Sequence, residues 1–424
     1  MFDLIVKGGT LPDGRVADVG IRADRIVAVE DLGAAEAGRV IDATGDLVSP
    51  PFVDPHFHMD ATLSYGTPRL NASGTLLEGI ALWGELRDIA TVDQMVARAV
   101  AYCDWAVSMG LLAIRTHVDT TPDHLRGVEA MLEVKRIVAP YITLQLVAFP
   151  QDGLYRRATG RKNLIRALDM GVDVVGGIPH FERTMEEGAA SVRDVAGVAA
   201  ERGLMLDLHC DETDDPLSRH VETLAAEVTR LGLGARAAGS HLTSMHSMDN
   251  YYVSKLLPLI AESGMCAIPN PLINIMLQGR HDTYPRRRGL TRVKEMQALG
   301  ITVGWGQDCV LDPWYPLGTA DMLDVAFMGL HVAQMSSPAE MAWCFDMVTV
   351  DNAKILGLQD YGLHPGAEAS LVVLDAGDPV EAVRLRPDRL CVVSRGRVVS
   401  EKVRNDSRLV LPGRPGSVRR RHRG

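Results

Sequence analysis

The middle of the chain alternates between short apolar runs and longer segments with helical periodicity. Residues 92–109 are typical of the second kind, because small or apolar side chains recur there every three or four positions. Eight apolar runs have the length of buried strands, and they span residues 47–58, 112–117, 142–148, 172–178, 204–209, 235–241, 266–269 and 301–306. Strands that alternate with helices in this way predict a (β/α)8 TIM-like barrel.

The two ends of the chain have a different pattern of short strands separated by turns. The N-terminal strands are predicted at residues 4–7, 19–21, 25–29 and 39–42, and the C-terminal ones at residues 370–374, 390–394 and 395–399. Because chain termini commonly lie close together, residues 1–46 and 369–403 are predicted to form one small β-sandwich domain. Residues 47–368 then form the barrel, and the basic tail at 404–424 is expected to be disordered.

Composition and charge narrow the possible partners. The 424 residues are 46% apolar and 23% charged, an ordinary globular balance, and the net charge of -10 argues against nucleic acid or an anionic membrane. No apolar run approaches the roughly 20 residues of a membrane span. Six cysteines without CxxC spacing indicate neither a disulfide framework nor a thiolate zinc site. We therefore expect a cytoplasmic protein.

Polar residues collect where the predicted barrel strands end. His56 and His58 alternate on the first strand, so their imidazoles point the same way. Similar positions after later strands are held by Gln151, His209, Glu212, His241 and Asp308. Each could be structural by itself, but the carboxyl ends of barrel strands are where chemistry takes place. Together these residues predict a metal site.

Three imidazoles and one carboxylate would bind the metal, from His56, His58, His209 and Asp308. Such a set suits Zn(II) or Fe(II), with a position left for water. Glu212, three residues after His209, is placed to shuttle a proton to the substrate. Asp308 could accept the proton of the water, and His241 could orient it.

Several stretches resemble the amidohydrolase superfamily, and more narrowly its bacterial cytosine deaminase branch. They are FVDPHFHMD (52–60), VAFPQ (147–151), HCDE (209–212), SH (240–241), NPLIN (270–274), LQGR (277–280) with DTYP (282–285), and DPWYPLGT (312–319). The last two are far more specific to this branch than the metal motifs, which the whole superfamily shares.

The resemblance implies hydrolytic removal of an exocyclic amine from a pyrimidine base through one divalent metal ion. Iron is usual in this family, zinc is also plausible, and a homo-oligomer is expected. The resemblance gives His56, His58, His209 and Asp308 as ligands, Glu212, His241 and Asp308 as catalytic groups, and Gln151 as the reader of the amide edge of the ring. We expect Trp314 and Phe149 to be flat walls beside the base. The fourth strand region ends without the lysine that bridges two metals in other members, which favours one metal.

The sequence departs from the branch after the last strand. Where cytosine deaminases have Gly-His-Asp-Asp, this chain has Gly306-Gln307-Asp308-Cys309. The resemblance puts the second aspartate of that pattern near carbon 5 of the pyrimidine, and cysteine behaves as a small apolar residue. We hypothesise that 5-substituted cytosines, 5-methylcytosine first, are accepted; neutral drift at a tolerant position is the alternative.

Three other functions remain open from the sequence. A deaminase of another ring, such as isoguanine or a triazine, would use the same metal site with a different pocket. A cyclic amide hydrolase is disfavoured by the missing lysine, and a noncatalytic scaffold by the presence of all the expected ligands. Five other histidines, at positions 117, 124, 220, 331 and 364, are interpreted as structural or surface residues.

Overall fold

The structure is a computed structural model that describes residues 1–404, 407–414 and 416–418. Its strands are β1 (Phe2–Thr10), β2 (Val16–Arg22), β3 (Arg25–Glu30), β4 (Ala37–Asp42), β5 (Leu47–Ser49), β6 (Phe52–Phe57), β7 (Leu111–Asp119), β8 (Thr143–Phe149), β9 (Val174–Gly177), β10 (Met205–Cys210), β11 (Ala237–His241), β12 (Cys266–Ile268), β13 (Leu371–Leu374), β14 (Arg389–Ser394), β15 (Arg397–Glu401), β16 (Ser407–Arg408) and β17 (Ser417–Val418).

The helices lie mostly between the strands of the middle region. They are α1 (Leu76–Ile89), α2 (Val92–Ser108), α3 (Arg126–Val138), α4 (Gly160–Asp169), α5 (Met185–Arg202), α6 (His220–Leu231), α7 (Asn250–Ser263), α8 (Pro271–Leu277), α9 (Val293–Ala298), α10 (Met322–Ala333), α11 (Pro338–Asp346), α12 (Val350–Leu356) and α13 (Pro379–Leu385). The helix predicted at 92–109 is confirmed as α2, which begins with a capping box between Thr91 and Gln94. Across the described residues, no helix is long and apolar enough to cross a membrane.

Strands β6 to β12 form a parallel sheet in sequence order, curved into a nearly closed barrel. The eighth strand, predicted at 301–306, is not regular, and two isolated bridges from Val303 to Ala267 and from Asp308 to Phe57 close the barrel. Backbone hydrogen bonds still join this segment to β12, from the Ala267 N–H to the Thr302 carbonyl and from the Gly304 N–H to the Ala267 carbonyl (both 3.0 Å), while the Trp305 carbonyl accepts from the Asn352 side-chain amide (2.9 Å). The fold is the predicted α/β TIM-like barrel beside a sheet domain.

The first predicted barrel strand, at 47–58, is divided between the two sheets. β5 pairs with β13 in the terminal sheet, whereas β6 pairs with β7 in the barrel. Pro50 and Pro51 separate them, because proline has no N–H to donate to a ladder. Residues 47–49, which were predicted to belong to the barrel, therefore lie in the sheet of the small domain.

The terminal segments combine into one eight-stranded sheet. Its order is β15-β14-β13-β5-β1-β2-β3, with β4 paired to β1. It has its own apolar core, which includes Val6, Ile21 and Val373. Within the tail that we expected to be disordered, β16 and β17 pair antiparallel; its end, Arg419–Gly424, lies outside the described residues.

Candidate active site

The residues predicted to bind a metal come together at the carboxyl ends of the barrel strands. His56 lies on β6 and His58 directly follows it, while His209 lies near the end of β10. Asp308 is joined to this edge through its backbone, because its N–H donates to the His56 carbonyl (2.8 Å) and its carbonyl accepts from the His58 N–H (2.9 Å). All four side chains are buried.

Short distances join the ligand atoms of these four residues in pairs. Asp308 Oδ1 lies 3.3 Å from the Nε2 atoms of both His56 and His58, and His58 Nε2 lies 2.9 Å from His209 Nε2. Ligand bonds of about 2.1 Å place neighbouring ligand atoms roughly 3 to 3.5 Å apart. His56 Nε2 is also buried without a hydrogen-bond partner. The cluster therefore suits a divalent metal ion.

Burial controls the protonation of this cluster. Burial lowers the pKa of His209 well below its usual value, and the neighbouring rings of His56 and His117 lower it further. Burial opposes the charged form of Asp308 too, but the adjacent rings of His56 and His58 outweigh it and hold the pKa of that carboxyl well below the usual range. Burial also opposes the charged form of His58, but Asp308 outweighs it and raises the pKa of that ring, so a metal ion would have to displace a proton there.

His117 also belongs to this cluster, although the sequence analysis assigned it no functional role. It lies on β7, fully buried, with its ring centroid 4.2 Å from that of His56 and 4.5 Å from that of His209. Neither of its ring nitrogens has a hydrogen-bond partner. Two groups of four residues could hold a metal ion, and His117 belongs to one of them: His56, His58, His117 and His209, against His56, His209, His241 and Asp308.

His241 is held by two asparagines that follow β12. The Asn274 side-chain oxygen accepts from the Asn270 N–H (3.0 Å), so its amide nitrogen is the atom 2.9 Å from His241 Nδ1. That nitrogen donates, and His241 Nδ1 therefore accepts. Burial keeps the ring neutral by lowering its pKa well below the usual value, against the pull of Asp308. The proton of His241 consequently lies on Nε2.

Glu212 is positioned to hold a proton next to this group. Burial raises its pKa well above the usual value, and the nearby charge of Asp308 raises it further. Its Oε1 lies 3.6 Å from His241 Nδ1. A carboxylic acid that stays protonated near neutral pH can serve as a general acid.

A cavity of about 220 Å³ opens onto these groups. Its lining includes most of the predicted site residues, namely His58, Gln151, His209, Glu212, His241, Asp308, Cys309 and Trp314. The remaining lining residues are largely apolar: Leu76, Leu77, Ile80, Ile178, His180, Phe181, Thr213, Ile273 and Leu277. The cavity is suited to a flat, weakly polar ligand of small size.

Phe149 is the predicted wall residue that does not line this cavity. Its ring stacks on His209 with centroids 4.1 Å apart and an interplanar angle of 21°. Phe149 is the last residue of β8, whereas Gln151 lies in the following turn, which carries Gln151 to the cavity. Phe149 therefore packs on His209, and its contact with a base stays a prediction.

Trp314 lines the cavity and packs against α1 at Gly79, where the helix has no side chain. A Cβ atom on Gly79 would lie 2.4 Å from Trp314 Cδ1, whereas one on Gly84 of the same helix would have no neighbour within 4 Å. We expect Gly79→Ala to displace the indole and lower kcat/KM about ten- to hundredfold, as small misplacements near a reacting centre do. Steady-state kinetics of the wild type and the variant would measure this.

Gly84→Ala is the matched control for that change. It removes a glycine from the same helix without touching Trp314, and we expect it to stabilise the protein by roughly 0.5–1 kcal/mol and to leave kcat/KM unchanged. Equal kinetics for the two variants would contradict the role given to Trp314.

Residues 39–400 match the amidohydrolase family, so the chain belongs to that family. Its fold, its cluster of histidines with an aspartate, and its relatives make it a hydrolase that acts on C–N bonds.

The individual relatives are deaminases and related hydrolases. The structure of 5-methylcytosine deaminase from Klebsiella pneumoniae liganded with 5-fluorocytosine is 40% identical, with a TM-score of 0.93, and the match covers 96% of this chain and 99% of that one. N-isopropylammelide isopropyl amidohydrolase of Pseudomonas sp. strain ADP is 28% identical over 94% of this chain and 97% of its own length. Pterin deaminase of Rhizobium rhizogenes is 28% identical over 90% of this chain and 89% of its own length.

Proposed function

We propose that the protein hydrolyses the exocyclic amine of a free cytosine-type base, with 5-methylcytosine as its preferred substrate. Water replaces the amine at carbon 4, so that 5-methylcytosine gives thymine and ammonia. The preference for 5-methylcytosine is inferred from Cys309. This buried cysteine lines the cavity at the position where the branch that the sequence resembles has an aspartate. The 40% identity to a 5-methylcytosine deaminase supports the same substrate.

One divalent ion, Fe(II) or Zn(II), is proposed at His56, His58, His209 and Asp308. When bound, it supplies a water whose pKa is lowered towards about 7. A single ion is proposed because the segment after β9 has Pro179 and His180 where two-metal members place a lysine.

The chain's own residues would move the protons. We propose that Gln151 donates to and accepts from the amide edge of the ring, since a primary amide can do both. Glu212 gives its proton to the ring nitrogen beside carbon 4. Asp308 takes the proton of the attacking water, and the Nε2 hydrogen of His241 orients that water. Asp308 then passes the proton it took to the amine, and the remaining hydrogen of the hydroxyl on carbon 4 returns to Glu212. The bond between carbon 4 and the amine breaks, and ammonia leaves.

A substrate panel tests this proposal against the nearest rivals. Ammonia release would be measured with iron-loaded and zinc-loaded protein on 5-methylcytosine, cytosine, isoguanine, an ammelide and a pterin. The last two rings are included because relatives with those substrates align with 90% or more of the chain. We expect the highest kcat/KM for 5-methylcytosine, and a clear preference for any other ring would replace this proposal.

Cys309→Asp tests which residue carries the 5-methyl preference. A carboxylate at this position would lose hydration against the methyl group, so we expect the ratio of kcat/KM for 5-methylcytosine over cytosine to fall about 10- to 200-fold. Cys309 is close to the buried carboxyl of Asp312, and burial raises the pKa of that carboxyl to about 7. Cys309→Ser changes a single atom without adding a charge and serves as the control, with the ratio nearly unchanged. An unchanged ratio in Cys309→Asp would show that Cys309 does not select the substituent.

A further inference from the structure

A chain of four polar side chains runs through the barrel interior to one of the proposed metal ligands. It consists of Arg115 on β7, Asp207 on β10, Ser240 on β11 and His56 on β6, and we call it the buried polar chain. All four residues are fully buried. Arg115 Nη1 lies 3.1 Å from Asp207 Oδ2, Ser240 Oγ lies 2.7 Å from Asp207 Oδ1, and His56 Nδ1 lies 2.8 Å from Ser240 Oγ.

The direction of each hydrogen bond in this chain follows from counting protons. Arg115 is always charged and can only donate, so Asp207 beside it is a carboxylate that can only accept. The single hydroxyl hydrogen of Ser240 therefore points at Asp207. Ser240 Oγ has only lone pairs left for His56, and His56 Nδ1 must carry a proton and donate it.

The same count leaves His56 Nε2 without a proton when the ring is neutral. This nitrogen faces the metal-binding cluster, 3.3 Å from Asp308 Oδ1, and has no hydrogen-bond partner. A lone pair in that position is what a metal ligand needs, and the partner of the other ring nitrogen decides which tautomer is present.

We propose that Ser240 and Asp207 are positioning residues that hold His56 in its Nδ1-protonated tautomer, with Nε2 free to bind the metal ion. This inference rests on the metal site of the proposed function. Neither residue touches the cavity or the substrate; both act through His56.

Arg115 fixes the far end of the chain. Its other donors are used by the Gln145 side-chain oxygen (3.0 and 3.1 Å) and the Ile355 carbonyl (3.0 Å), so the guanidinium cannot turn away from Asp207. Two other titratable groups lie near Asp207: His117, whose Nε2 lies 3.8 Å from Asp207 Oδ1, and the Cys266 thiol, whose pKa burial raises to about 12. Burial lowers the pKa of His117 well below its usual value, so it adds no competing charge.

Removal of the Ser240 hydroxyl tests the proposal directly. In Ser240→Ala, His56 Nδ1 loses its partner, and we expect the Kd for Zn(II), measured by competition with a chromogenic chelator, to rise about 10- to 100-fold. Ser191→Ala is the matched control, because Ser191 is also a buried serine whose hydroxyl makes one short bond, to the Gly188 carbonyl (2.8 Å) on α5. We expect its Kd to stay at the wild-type value.

The tautomer itself provides a second measurement, which does not depend on activity. In metal-free protein labelled with 15N-histidine, the His56 signals, assigned by their loss in His56→Gln, should show only Nδ1 protonated in the wild type. In Ser240→Ala the two tautomers should mix. A double-mutant cycle with Asp207→Asn should give less than additive effects on Kd, because both changes act through His56.

Tight zinc binding by Ser240→Ala, an equal loss in Ser191→Ala, or additive effects in the cycle would overturn the role of the buried polar chain while leaving the proposed function intact. Failure of the wild type to bind either Zn(II) or Fe(II) would overturn the metal site, and this inference with it.

Discussion

Glu212→Gln is expected to lower kcat for ammonia release about 10²- to 10⁴-fold, the usual loss when a general acid is removed. Glutamine has the same shape, but it has no acidic proton to give to the ring nitrogen. Glu212 lines the cavity, and its burial and the charge of Asp308 keep its pKa high enough to retain that proton. KM and the metal content should change little, because Glu212 is not among the proposed ligands.

Glu222→Gln is the matched control for this effect. Glu222 lies on α6, outside the cavity lining, and its carboxylate accepts a hydrogen bond from the Tyr252 hydroxyl. We expect wild-type kcat from this variant. If Glu212→Gln kept more than a tenth of the wild-type kcat with a full complement of metal, another group would have to be the proton donor.

Arg115→Met is expected to lower the free energy of unfolding by about 3–5 kcal/mol, the cost of leaving one member of a buried ion pair without its partner. Methionine fills part of the space, but Asp207 would remain as an uncompensated carboxylate in the barrel interior. Urea unfolding of metal-free protein would measure the loss without a contribution from metal binding.

An exposed ion pair provides the comparison for that variant. Arg136 pairs with Glu133 on α3 at 2.6 Å, and its side chain is 72% exposed. Arg136→Met should therefore change the free energy of unfolding by no more than about 1 kcal/mol. Similar costs for the two substitutions would contradict the importance of the buried pair.

Strand alternation in the sequence predicts much of the site. The two-residue spacing of His56 and His58 correctly predicted that both imidazoles face the same cluster. The same spacing relates Arg115 to His117 on β7, and Asp207 to His209 on β10, yet we assigned no role to Arg115, His117 or Asp207. The alternation of side chains along each strand would have placed Arg115, His117 and Asp207 inside the barrel as well.

The partners of those side chains could not be predicted in the same way. Ser240 meets His56 across 184 positions of sequence, and Asn274 meets His241 across 33. Such pairs depend on strand register around the barrel, which hydrophobic periodicity does not specify. Ser240 did carry one signal, because it directly precedes the predicted catalytic residue His241 on the same strand.

Two errors in the predicted elements have local causes. The apolar run at 47–58 is continuous in hydropathy, but the proline pair at 50 and 51 breaks the ladder and sends the two halves to different sheets. The segment at 301–306 is apolar like a strand, but its backbone partners are scattered: the Trp305 N–H donates to the Met347 carbonyl, and the Trp305 carbonyl accepts from the Asn352 side chain. Hydrophobic pattern reports burial in both cases and not the identity of the hydrogen-bond partner.

The most direct test of the proposed function is to incubate metal-loaded protein with 5-methylcytosine and to quantify thymine and ammonia, with Glu212→Gln as the matched blank. We predict equal amounts of thymine and ammonia from the wild type. The variant should form them at least about a hundredfold more slowly, which is the lower end of the loss expected when a general acid is removed. Protein that holds one equivalent of metal and forms no thymine from 5-methylcytosine would contradict the proposed function.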